Sequence, residues 1–162
     1  MTPVPLRTLD PMTETVRVAR RAARVLVLDE AGRVLLLRGY DPAKPADRYW
    51  FTVGGGLAEG ETAEQAAARE LFEETGLRRS PHDFGSPVHA DVTSFSFDGV
   101  DYRQEQAFFL IRVPEFEVDR SGWDETERRS MDDHRWWSAA ELVATTERYY
   151  PPGLPDLLRE VA

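Results

Sequence analysis

Three carboxylates crowd one short stretch, Arg69-Glu70-Leu71-Phe72-Glu73-Glu74. On a helix, side chains three and four apart are neighbours, and like charges there repel. These glutamates also fall near the end of their segment, where the helix dipole is negative and favours cations. The arrangement is unfavourable unless a cation sits among them, and hard divalent ions such as Mg²⁺ take oxygen ligands of this kind. Ahead of them stand Gly54, Gly55, Gly56 and Glu61. Glycines let a backbone carbonyl or amide approach a ligand closely. A solvated acidic helix face accounts for a pair of glutamates, but not for the glycine triplet and Glu61 placed before them.

The element that must hold the carboxylates is a helix. Thr62 and Gln65 have the spacing of a capping box, so the helix begins after Thr62. Gly76 stands where the residue just past the last turn belongs. Alanines and other good helix formers fill the interval. At about 100° per residue, Ala67, Ala68, Leu71, Phe72 and Thr75 share a core-facing side, and the three glutamates share another.

Residues 55–77 resemble the signature box of the Nudix hydrolases, G-x5-E-x7-R-E-U-x-E-E-x-G-U, with U a bulky apolar residue. Gly55, Glu61, Arg69, Glu70, Leu71, Glu73, Glu74, Gly76 and Leu77 meet every fixed position. The resemblance implies an α/β Nudix fold, an α/β/α sandwich with a mixed β-sheet and a loop-helix-loop catalytic box. It implies a hydrolase that cleaves a diphosphate linkage in a nucleoside diphosphate joined to another moiety, with Mg²⁺ as cofactor and Mn²⁺ as substitute. Glu70, Glu73 and Glu74 then resemble the metal ligands, with the Gly54 carbonyl as a backbone ligand. Arg69 orients the glutamates, and Gly55, Glu61 and Gly76 support the box, with Glu61 alternatively a distant ligand. Family members often add a glutamate from outside the box as ligand or general base. Glu105 is the candidate, with Glu125 and Glu127 as weaker rivals. Arg38 (phosphate contact), Trp50 and Tyr102 (base stacking) are candidate substrate residues, each with an ordinary structural alternative in a salt bridge or the core.

Val53 stands where many Nudix boxes carry a proline, and Val92-Thr93-Ser94 lacks the proline or tyrosine that marks some subfamilies. The substrate therefore stays open among (deoxy)nucleoside triphosphates, nucleotide sugars and other nucleotide conjugates. Two other functions share the fold. A non-catalytic nucleotide or metabolite sensor usually has a damaged box and an added DNA-binding region. An isopentenyl diphosphate isomerase-like enzyme commonly calls on a cysteine, and this chain has none.

The remainder fits one domain. The 162 residues are 41% hydrophobic and 30% charged, as in a globular protein with a substantial core. A net charge of −9 argues against a basic face that grips a nucleic acid duplex. Absence of cysteine excludes disulfides and thiolate sites. No apolar run is long enough for a membrane span, and no signal peptide is legible, so a cytoplasmic location is expected. Residues 1–12, with Pro3, Pro5 and Pro11, read as a flexible arm, and Met12 as an alternative start. Residues 13–162 read as the Nudix domain. A homodimer joined through the arm is one assembly the family allows.

Strands are expected over 23–28, 33–37 and 50–53, followed by the box helix. A hairpin of 89–97 and 102–113, a strand at 132–137 and a capped helix from Ser138 to residue 149 complete the chain, with a last turn at 157–161. Residues 38–49, 78–87 and 114–131 read as loops. Trp136 and Trp137, adjacent in a strand, must point to opposite faces.

Overall fold

The computed structural model describes residues 4–9, 14–114 and 116–161, with side chains from Arg17 onward. Two apolar runs dictate the sheet. In β2 (Glu14–Leu28) and β3 (Val34–Tyr40), alternate residues enter opposite clusters. Ala23, Val25, Val27, Leu35 and Leu37 pack on one face, and Leu26, Leu28, Val34 and Leu36 on the other. Alternation of side chains along a strand produces this division, and a near-continuous apolar run signals a sheet covered on both faces.

β4 (Arg48–Gly56) links two parts of the sheet. Its residues from Arg48 to Thr52 pair antiparallel with β3, and those from Val53 to Gly56 pair antiparallel with β2. The strand thus changes neighbours on its way into the glycine triplet, and the sheet curls there. β5 (His89–Phe97) and β6 (Val100–Arg112) form a hairpin whose turn residues, Asp98 and Gly99, both have positive φ, as a tight right-twisted hairpin demands. β6 runs parallel to β2 from Val18↔Tyr102 to Leu28↔Arg112.

α1 (Ala63–Thr75) covers one face through Ala66, Ala67 and Leu71. β7 (Met131–Trp137) pairs antiparallel with β3, preceded by the short α2 (Glu125–Ser130). α3 (Ala139–Ala144) and α4 (Leu154–Val161) cover the opposite face through Leu142, Leu154, Leu157 and Leu158. β8 (Arg148–Tyr150) lies parallel to β4. The result is the expected α/β/α sandwich around a mixed sheet of order β5-β6-β2-β3-β4-β8. Trp137 is buried against α3 and α4, while Trp136 packs on the other face beside Phe116.

Several boundaries differ from expectation. The helix after Ser138 stops at Ala144, because Thr145 takes an extended conformation. Tyr149 and Tyr150 then pair with β4, and the extended backbone suits a residue before Pro151. The segment read as irregular contains α2, whose Asp124 and Glu127 form a reciprocal capping box. Phe72 is 37% exposed under the Arg78 guanidinium, which lies 4.0 Å from its ring, and Glu70 and Glu74 turn inward instead. Within the expected arm, Val4–Leu9 forms β1, antiparallel to the start of β2. Residues 1–3 and 10–12 of that arm lie outside the described residues.

Candidate active site

α1 is clamped at both ends. Thr62 accepts from the Gln65 N–H at 3.1 Å, and the Gln65 side chain accepts from the Thr62 N–H at 2.9 Å. Gly76, at φ 79°, donates its N–H to the Phe72 carbonyl at 2.9 Å. Glu70 and Glu74, one turn apart, therefore sit at fixed heights against the end of β4.

Glu74 is only 2% exposed, and its Oε1 accepts the Gly54 N–H at 2.7 Å. The glycines are a space requirement. Gly54 has φ 140°, and a Cβ there would lie 2.1 Å from the Ala23 carbonyl oxygen. A Cβ on Gly55 would lie 2.5 Å from Glu70 Oε1. From α2, Glu127 reaches the same place: one carboxylate oxygen from each of Glu70, Glu74 and Glu127 lies within 4.8 Å of the others. Trp123 Nε1 donates to the Glu74 carbonyl at 2.9 Å, tying the segment before α2 to the end of α1.

Arg69 organises the rim. Its Nε and Nη2 form a bidentate pair with Glu61, both at 2.8 Å. Nη1 donates to Glu70 at 2.9 Å and to Glu73 at 3.2 Å, and Nη2 also reaches the Gly56 carbonyl at 3.1 Å. Glu61 accepts the Ala58 N–H at 2.9 Å as well. One guanidinium thus joins the loop and the helix, in the fork geometry that suits arginine and carboxylate. These bonds hold the Glu61 carboxyl below its usual range.

The three clustered carboxyls shift the other way. Burial raises Glu74 well above the usual carboxylate range, and the Glu70 charge adds to this. Burial also raises Glu70, against the pull of Arg69. Glu127 is pushed up to about 7 by burial, with Asp124, Glu70 and Glu73 contributing repulsion. Three oxygen donors withdrawn wholly or partly from water, which resist their own charge, are the donor set a hard divalent cation would satisfy.

Glu70 and Glu74 thus come together as expected, beside Gly54, Gly55 and Glu61. Glu73 stands at the rim on Arg69, outside the cluster. Glu105 is not brought in. Its side chain is 59% exposed, lies 3.7 Å from Arg103 and lines a separate cavity with Arg21 and Val92. Glu127, the weaker rival in an acidic run that reads as surface, is the outside carboxylate that joins Glu70 and Glu74. Arg38 is bound at 2.8 Å to Asp132, which also holds Arg48 at 2.8 Å, so it serves an ion-pair network. Trp50 is buried in the core edge-to-face with Trp137 and offers no stacking surface. Tyr102 does line an open cavity, of about 400 Å³, with Arg20, Gly56 and Arg69. Arg20 and Arg24 on β2 lie in the field of the carboxylates, Arg20 near Glu70 and Arg24 near Glu74; their signal in the sequence is a pair of arginines four apart leading into an apolar strand, both on one side by strand alternation.

The chain belongs to the Nudix family: the NUDIX domain model matches residues 18–159. It is a Nudix pyrophosphate hydrolase. Among its relatives, an RNA pyrophosphohydrolase of Dinoroseobacter shibae is 45% identical over 132 residues, covering 76% of this chain and 79% of the relative. An RNA pyrophosphohydrolase of Cereibacter sphaeroides is 30% identical over 149 residues, covering 85% of each. In fold, the chain resembles a MutT protein from Methanosarcina mazei, with a TM-score of 0.63 at 18% identity over 88% of this chain and 91% of that one.

Proposed function

We propose that the protein is a divalent-metal-dependent pyrophosphohydrolase of a nucleotide-type substrate, a nucleoside diphosphate linked to another moiety. The observation that carries this is the cluster of Glu70 and Glu74, packed against the Gly54 and Gly55 backbone, with the half-buried Glu127. Those three carboxylates and the Gly54 carbonyl would hold Mg²⁺, or Mn²⁺ in its place, with Glu73 at the outer edge. When bound, such an ion neutralises phosphate charge and lowers the pKa of a coordinated water. Arg69 keeps Glu70 and Glu73 aimed by anchoring both to Glu61 and the loop. Glu127 replaces Glu105 as the carboxylate supplied from outside the box, as ligand or proton acceptor. Transfer of a phosphoryl group depends mainly on such positioning and electrostatic stabilisation. Among the described residues no helix is long and apolar enough to cross a membrane, and a cytoplasmic location is part of this reading.

A second reading takes the 5′-triphosphate end of RNA as substrate, and the names of the relatives favour it. The net charge of −9 opposes an extended grip on that polyanion. A panel with Mg²⁺ and Mn²⁺ tests both: nucleoside triphosphates, nucleotide sugars, dinucleotides and a 5′-triphosphorylated oligonucleotide, with products identified. Turnover should require the metal, and Glu74→Gln should lower kcat by about a hundredfold or more while the protein stays folded. Full activity in that variant would overturn the metal site. Binding without turnover across the panel would instead favour a sensor.

A further inference from the structure

α2 carries Glu127 to the carboxylate cluster, yet it is only six residues long. So short a helix has little stability of its own, because nucleation fixes several residues for few hydrogen bonds. Its reciprocal cap, Asp124 with Glu127, orders its first turn and does not set its distance from α1. What sets that distance lies in the chain on either side of it.

Before α2, residues 119–123 cross the end of α1. The carbonyls of a last helical turn lack partners within the helix, and this segment supplies two. Asp119 donates its N–H to the Thr75 carbonyl at 2.9 Å, and Trp123 Nε1 donates to the Glu74 carbonyl at 2.9 Å. The crossing is close. A Cβ on Gly122 would lie 2.6 Å from the Glu73 carbonyl oxygen, and one on Gly76 would lie 2.8 Å from Asp119 Cβ. Arg120, in the same segment, binds β7. Its Nε and Nη2 donate to His134 Nδ1 at 3.0 and 2.7 Å. Nη2 also meets Asp133 Oδ1 at 3.1 Å, and Nη1 reaches the Asp132 carbonyl at 3.4 Å. Arginine has no acceptor, so His134 Nδ1 carries no proton here. Burial, and then the Arg120 charge, hold that imidazole below its usual value. The guanidinium also lies 5.1 Å from the Trp123 ring.

These contacts close a loop. Residues 120 and 132–134 flank α2 in the chain, so one guanidinium joins the two ends of the excursion that contains Glu127. Holding the ends together removes freedom that the intervening residues would otherwise keep. Trp123, beside that guanidinium, ties the same segment to the Glu74 backbone. Among the described residues Arg120 makes no hydrogen bond or ion pair with Glu70, Glu74 or Glu127 themselves.

We propose that Arg120 is a positioning residue for the hydrolysis: by binding Asp133 and His134 across the base of α2, it holds Glu127 against Glu70 and Glu74. This rests on the pyrophosphohydrolase reading above and adds to it a residue that acts only through another. The effect on rate follows from geometry, since a displacement of about 1 Å in a positioned group lowers rate by as much as about a hundredfold.

The experiment measures kcat and KM for Arg120→Met, Arg120→Lys and His134→Ala on the panel substrate that is turned over fastest with Mg²⁺, and repeats Arg120→Met in the Glu127→Gln background. Arg120→Met should lower kcat by about fivefold or more and change KM by less than about twofold. Arg120→Lys should recover part of kcat, because lysine keeps the charge and loses the fork. His134→Ala removes an acceptor while leaving Arg120 in place, and should lower kcat in the same way to a smaller extent. In the Glu127→Gln background, Arg120→Met should lower kcat by less than about twofold, since residues that act through one group are not additive. An unchanged kcat in Arg120→Met, or an equal fall in both backgrounds, would show a role in the fold alone and overturn the proposal. Hydrogen exchange of residues 121–130 should quicken by about tenfold or more in Arg120→Met while that of the central strands stays the same. A wild type without turnover defeats the hydrolase reading, and hydrogen exchange then decides on Arg120 by itself: equal protection of 121–130 in both proteins overturns the tether.

Discussion

Glu127 and Glu105 show what residue type and spacing leave undecided. Both are glutamates outside the box. Glu105 lies in a strand near aromatic and amide residues, and Glu127 in an acidic run that reads as surface. Only Glu127 joins Glu70 and Glu74, because α2 turns it inward while β6 leaves Glu105 in solvent. Glu127→Gln should therefore lower kcat by about tenfold or more, a modest share of what a ligand or general base supplies. Glu105→Gln should leave kcat within about twofold of wild type, since an exposed ion pair contributes little. The reverse order in steady-state kinetics would restore Glu105. The bidentate Arg69–Glu61 pair needs little help from the fold, since its partners are close in the chain.

At the scale of elements, α1 is a helix with its charged side turned partly inside. The carboxyls of Glu70, Glu74 and Glu127 have raised pKa values in the folded protein. The folded state thus binds protons that the unfolded state has released. Their favourable contribution is complete below the unfolded value of about 4.3 and is lost as pH rises through the folded values. For Glu127 that loss runs from the unfolded value up to about pH 7 and is nearly complete above it. Metal-free protein should accordingly lose thermal stability between about pH 5 and 8. Glu127→Gln should show a shallower decline. Mg²⁺ should raise Tm more at pH 8 than at pH 5, since a metal takes the deprotonated ligands and stabilises only the state that holds them together. Thermal scans across that range check this, and a pH-independent effect of Mg²⁺ would count against the cluster as its site.

Across the whole molecule, the curl at β4 creates the cleft beside the box. The loop after β3 reaches the tip of the β5–β6 hairpin, where Asp41 Oδ1 accepts the Asp98 N–H at 2.8 Å, 57 residues along the chain. The same oxygen accepts the Ala43 N–H at 2.9 Å. Asp41 is buried while Ala43 and Asp98 are exposed, so their N–H groups can turn to water, and Asp41→Ala should cost about 0.5–1.5 kcal/mol for each hydrogen bond lost. Denaturant titration would register this as a lower midpoint, and an unchanged midpoint would show that the loop and the hairpin tip hold together without it.

The sequence by itself determined the box helix to the residue at its N-cap and just past its last turn, the sandwich class and the buried strand pairs, because caps and alternation act within a few residues. It also determined the reaction class, through a motif whose members are close in the chain. Tertiary structure decided what depends on distant segments meeting. It turned Glu70 and Glu74 inward against Gly54, delivered Glu127 from α2, buried Trp50 and tied Arg38 to Asp132. Periodicity assigns a residue to one side of its own element, whereas the curl of the sheet and the route of β4 between β2 and β3 determine what that side faces.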